Sequence, residues 1–153
     1  MPAVAKGTST EIMTLAKQVR LAKRSVELET QFTESAIETG RLLAAATGTV
    51  VVITGYISYG ADGEHTMRID CDDAMQGRIP GLSTGLAALM AAFLSVERDR
   101  MTACVYAFSM VIIARQMTAA ETTGPGSFRA QFLDRLCNRN HTDIASRLKV
   151  AAA

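Results

Sequence analysis

Tryptophan is absent from this 153-residue chain, and aromatic residues of all kinds make up only 5%. A basic segment near the C-terminus (Arg129, Arg135, Arg139, Arg147 and Lys149) therefore has a single aromatic residue, Phe132, between its charges, and Asp134 and Asp143 dilute it. That argues against nucleic acid as a partner, which calls for aromatic faces or an unbroken line of cations along the phosphates. Charge is sparse at 20% and sums to +1, so the chain as a whole exerts no bulk attraction on polyanions or acidic membranes. Cysteine is scarce too. Cys71, Cys104 and Cys137 form no C-x-x-C pair, and an odd count argues against a disulfide framework and a zinc site. Their even spacing suggests a repeat, but the residues around them share no pattern. The only histidines, His65 and His141, stand in polar surroundings without a nucleophile at a diagnostic spacing, and read as surface residues. Residues 1–7 lack the apolar core of a secretory leader, and the expected setting is the cytoplasm.

Apolar residues are plentiful, at 48%. Two uncharged stretches, 42–61 and 79–96, approach the length that spans a bilayer. Gly48, Gly55 and Gly60 interrupt the first, and Pro80 and Gly81 open the second, so both read as buried elements of a folded domain. Thr8-Ser9-Thr10-Glu11 is a capping box, in which hydroxyl and carboxylate each reach the other residue's backbone N–H. Ile12, Leu15, Val19, Ala22 and Val26 follow at helical steps, and no Pro or Gly intervenes before Gly40. The spacing predicts one long helix over 9–46, preceded by a flexible N-terminus over 1–8. Residues 49–54 are β-branched throughout and predict a strand reaching about Tyr59, returned by a turn at 60–63 and a second strand over 64–70. Three helices then follow, one capped by Ser83 or Thr84, a central one over 101–119, and one capped by Ser127 after the break at 122–126. The predicted fold class is α+β, mostly α: a long N-terminal helix, one β-hairpin and a C-terminal bundle of three helices, in a single domain over 9–150.

Three features carry chemistry. Residues 77–85 run from a glycine-rich loop into a helix, where free N–H groups, the Ser83 and Thr84 hydroxyls and the Arg78 guanidinium would form an anion site. The Lys of a P-loop is missing there, and the plainer reading is that Gly81 and its neighbours only shape the turn. Arg115, the first charge after the apolar run 111–114, either reaches the same anion or ends a helix. Asp70, Asp72 and Asp73 could hold Mg²⁺ beside a phosphate, although a solvated acidic turn is the better reading of so short a cluster.

The expected ligand-binding residues are Arg78, Gly81, Ser83, Thr84 and Arg115, with no catalytic residue, metal or cofactor assigned. The expected function is that of a self-associating, non-enzymatic accessory protein that binds an anionic small molecule, a nucleotide or phosphate. Its homo-oligomer would form through residues 9–46, since Lys17, Arg20, Lys23 and Arg24 precede Glu27, Glu29, Glu34 and Glu38 and favour an antiparallel pair. The alternative is a Mg-dependent phosphoryl-transfer or hydrolytic enzyme using the aspartate cluster.

Overall fold

A computed structural model describes residues 2–19, 29–55, 57–70, 81–138 and 150–152. The chain divides into two compact units, residues 1–70 with 150–153 and residues 71–149. The first unit is built on a five-stranded sheet in the order β1-β2-β3-β4-β5. Its elements are β1 (Val4–Thr8), α1 (Ser9–Gln18), α2 (Glu29–Thr47), β2 (Val50–Thr54), β3 (Ile57–Ala61), β4 (Thr66–Asp70) and β5 (Val150–Ala152). β1 pairs with β2 in parallel, and the remaining pairs are antiparallel.

The single long helix over 9–46 does not form. α1 closes at Val19, whose N–H returns to Leu15 O, and the next described helix starts at Glu29. The reason lies in the core. Ile12 and Met13 of α1 join Ala36, Leu43 and Ala44 of α2 in one cluster with Val51 and Ile53 of β2. A straight rod cannot lay both its halves on one sheet, and burial outweighs the local gain of continuing a helix. Two short helices on the same face make β1-α1-α2-β2 a crossover between parallel strands, which such strands require. Residues 4–8, expected outside the fold, are thereby an integral strand. Of the residues expected to drive self-association, Ile12 is buried in this core, Leu15 and Val19 are exposed, and Val26 lies outside the described residues.

The expected single hairpin is also corrected. The stretch 49–59 is two strands rather than one, reversed at Gly55, with Val51 facing Ala61 and Ile53 facing Tyr59. β3 and β4 form the second hairpin, turned at Asp62–His65, where Asp62 Oδ1 accepts from the Glu64 and His65 N–H groups. Val50 and Val52, on the opposite face of β2 from the helix cluster, are buried as well. That accounts for the unbroken β-branched run, because a strand covered on both faces shows no polar alternation.

The second unit contains α3 (Leu82–Leu94), α4 (Arg100–Ala119) and α5 (Pro125–Cys137), with α4 packed on both others. α3 and α4 are separate, because Asp99 caps α4 by accepting from the Thr102 N–H at 2.7 Å. α4 is long and apolar enough to cross a membrane by length and composition, yet most of that stretch is buried inside the fold. Thirteen of its residues, among them Cys104, Phe108 and Ile113, are buried, as suits the central helix of a small bundle.

Candidate functional site

In the first unit the carboxyl ends of the parallel strands β1 and β2 lie side by side, with Thr8 in register with Thr54. That is where open α/β sheets commonly hold ligands. Here the local polar groups are occupied with one another. Glu11 Oε2 accepts from the Thr8 N–H at 2.7 Å and from its hydroxyl at 3.0 Å, and Thr54 Oγ1 donates to Gly7 O at 3.2 Å. Those hydrogen bonds to Thr8 hold the Glu11 carboxyl below its usual range. Partial burial pulls Lys6 below the usual ammonium range, against the opposing pull of the Glu11 charge.

The second unit offers a more open site at the start of α3. Neither Ser83 nor Thr84 is the cap: Gly81 holds that position at φ 90°, a left-handed conformation that glycine adopts without strain, and no side chain caps the helix. Among the described residues no side chain caps the first N–H groups of α3, on Leu82, Ser83 and Thr84, which carry the positive end of the helix dipole. A cleft of about 160 Å³ opens beside them, lined by Gly81, Gly85, Leu89, Val111, Arg129 and Phe132 among others. Its walls are mostly apolar, and among the described residues Arg129 is the one cationic residue that lines it. An anion at the helix start would therefore lie next to a pocket large enough for a single flat ring, since a cavity of roughly 150 Å³ accommodates benzene.

Of the expected ligand residues, Gly81 lines this cleft and Ser83 and Thr84 occupy the first turn beside it. Arg78 lies outside the described residues. Arg115 is buried at 7% exposure on α4, one turn beyond the cleft-lining Val111, and does not itself line the cleft. Asp70 is paired with Arg68 at 2.8 Å at the end of β4, while Asp72 and Asp73 lie outside the described residues. Among the described residues no group of three His, Cys, Asp or Glu side chains could hold a metal ion. His65 is exposed and turned to Asp62, and His141 lies outside the described residues.

Arg129 lines the cleft but is absent from the ligand-binding residues expected from sequence, where it reads only as part of a basic C-terminal segment. A signal was present. Arg129, Phe132, Leu133 and Leu136 recur at steps of three and four, which gathers them on one side of α5, and all four line the cleft. The helix also begins earlier than Ser127 implies: Gly124 is its cap, Pro125 takes the first position, and the Ser127 hydroxyl donates to Gly124 O.

Comparison with known proteins finds relatives of this chain. The chain is 38% identical over 149 residues to a hydroxyethylthiazole kinase of Tolumonas auensis, covering 96% of this chain and 55% of that protein. It is 34% identical over 147 residues to a hydroxyethylthiazole kinase of Leptospira biflexa, covering 96% and 54%. The solved hydroxyethylthiazole kinase protein of Pyrococcus horikoshii superimposes with a TM-score of 0.84 at 27% identity, over 98% of this chain and 54% of that one. This chain spans about half the length of the relatives it matches. Such relatives overturn the expectation of a non-enzymatic accessory protein and favour the enzymatic alternative. With the profile of that family matching residues 1–141, the chain belongs to the hydroxyethylthiazole kinase family.

Proposed function

We propose that this chain supplies the phosphate-holding part of a kinase that transfers a phosphoryl group from a nucleoside triphosphate to the hydroxyl of a hydroxyethylthiazole. The observation that carries the reading is the uncapped start of α3, with Gly81 at φ 90° and the cleft alongside. Phosphoryl transfer asks the protein chiefly to position the phosphate and to stabilise the charge on its oxygens. N–H groups of Leu82, Ser83 and Thr84 aimed along a helix dipole do this without moving, and Arg129 in the cleft wall adds a formal charge. Arg78, just ahead of the helix in the sequence, is assigned to the same anion, and Arg115 is buried on α4 one turn beyond the cleft-lining Val111. The ring-sized, apolar cleft suits a flat heterocycle, which the phosphoryl donor and a thiazole both carry. Asp70 has no role in this reading, since it is held by Arg68. A cytoplasmic setting belongs to it.

A Gly85→Asp variant tests the proposal. Gly85 lies in the first turn with open space where a Cβ would stand, so the substitution is accommodated. An acidic residue there favours the helix dipole, so stability should hold or rise by about 0.3–1 kcal/mol. The same charge repels phosphate. In calorimetry with the full chain, pyrophosphate and ATP should bind the wild type and bind Gly85→Asp at least tenfold more weakly. Binding that is absent in the wild type, or equal in the two, would refute the reading.

A further inference from the structure

The wall of the cleft that α5 forms hangs on a short link. Between α4 and α5 the chain runs Glu121-Thr122-Thr123-Gly124-Pro125-Gly126, and a Cβ on Gly124 or Gly126 would meet nothing within 4 Å. Glycine restricts its backbone least of all residues, so this link by itself offers little resistance to a change of angle between the two helices. Packing supplies part of the missing constraint. Phe128 is fully buried, Phe132 is 6% exposed, and their rings stack with centroids 6.2 Å apart, which seats α5 on α4. Apolar burial is non-directional, however, and a helix resting on one row of rings is still free to roll about its axis.

The roll decides what the cleft presents. At 3.6 residues per turn, Phe132, Leu136, Arg129 and Leu133 fan out over about 40° to 140° on one side of Phe128, and Arg135 stands about 20° to the other side. The first four line the cleft. Arg135, on the flank away from it, meets Glu121, whose Oε1 and Oε2 accept from the Arg135 Nη2 at 2.6 and 2.5 Å. Glu121 belongs to the end of α4: its N–H and that of Thr122 both donate to Thr118 O at 3.1 Å, and Thr118 is fully buried. The contact therefore ties the last turn of α5 to the end of α4 across 14 positions, opposite the cleft. With the two phenylalanines it makes a second point of attachment, and two points fix a roll that one leaves open.

We propose that Glu121 and Arg135 form an ionic latch for the cleft and are positioning residues for the anion bound there: the pair sets the roll of α5 and so keeps Arg129 and Phe132 turned toward the start of α3. The anion rests on the kinase reading above, whereas the latch rests on the contact itself. Its surroundings favour a positional role over a stabilising one. The two side chains are 39% and 50% exposed, and an exposed ion pair adds little to the stability of a fold. A charge-assisted contact to both oxygens of one carboxylate is directional, so what it supplies is an orientation. Where only part of a population holds the competent arrangement, apparent affinity falls by that fraction. Loss of the latch should thus weaken anion binding and leave the fold intact.

The test uses the full chain and two readouts. Nitroxide labels on Cys137 and on Ala88→Cys, both exposed, report the distance between α5 and α3 by electron spin resonance. The wild type should give one narrow distribution of distances. Glu121→Gln and Arg135→Gln should each broaden it, and the two together should broaden it no further than either alone, because both remove the same contact. Arg135→Lys, which keeps the charge, should stay close to the wild type. Calorimetry with pyrophosphate and ATP should follow the same order. Glu121→Gln should bind about three- to fivefold more weakly, the most that an exposed pair supplies, at a melting temperature near that of the wild type. That difference should shrink as added salt screens the pair. The proposal is overturned if Glu121→Gln leaves the label distances unchanged, binds as tightly as the wild type, or melts far below it. A wild type that binds neither anion would refute the kinase reading, and the label distances would still decide the latch.

Discussion

Gly63 and Gly48 both have positive φ, at 100° and 62°, yet they differ in what surrounds them. A Cβ on Gly48 would meet nothing within 4 Å, whereas one on Gly63 would lie 2.9 Å from the Ala45 Cα in the backbone of α2. No rotamer change relieves a clash with backbone. Gly48→Ala should cost about 1 kcal/mol, the strain of the conformation alone. Gly63→Ala should cost more, about 2–4 kcal/mol, as strain and overlap combine. Urea denaturation of the two variants checks the order, and equal losses would show that the turn at Asp62–His65 moves off α2 freely. The same scale explains the missed Arg129: its identity as a cation was plain, but its place in a cleft depends on which face of α5 meets α4.

Among the elements, α1 is the one whose start was most legible. Thr8 Oγ1 accepts from the Glu11 N–H and Glu11 accepts from the Thr8 N–H, as the spacing of Thr8 and Glu11 predicts. Hydrogen bonds from Thr8 keep the folded-state pKa of Glu11 below that of the unfolded chain. The contribution of this carboxylate is therefore complete above the unfolded value and lost as pH falls through the folded one. Glu11→Gln should melt below the wild type at pH 7, and the gap should close as pH drops below the ordinary carboxylate range. A gap that is constant down to pH 3 would mean that the charge of Glu11 does not matter. Thr8→Ala, which removes the cap itself, should cost about 1 kcal/mol at pH 7. Element ends were harder to read where tertiary contacts set them. Gly55 is a lone glycine in a β-branched run, and nothing local announces that the chain reverses there.

For the molecule as a whole, the packing of the second unit around α4 makes Cys104 a reporter. Burial, with the Asp99 charge as a smaller cause, pushes its thiol up to about 11, while Cys137 on α5 is exposed. At pH 8 iodoacetamide should modify Cys137 readily and leave Cys104 intact until denaturant opens the unit, as peptide mass mapping would show. Labelling of Cys104 in the native chain at a rate near that of Cys137 would contradict the buried position of α4.

Sequence alone determined the features that depend on residues within about four of each other: the Thr8–Glu11 cap, the β-branched run of β2, and the breaks at Pro80–Gly81 and Gly124–Pro125 that bound the last helices. Local hydrogen bonds and allowed dihedrals suffice for these, and they are written in adjacent positions. Tertiary structure decided what depends on burial between distant residues. Residues 4–8 become a strand only because residues 50–54 lie beside them, and the Thr49 hydroxyl reaches Pro2 O across 47 positions. The apolar pattern over 9–46 fits one helix or two, and what separates them is that two can bury Ile12 and Leu43 against the same β2. Apolar burial is non-directional, so a periodic sequence records that a face is covered and leaves open which part of the chain covers it.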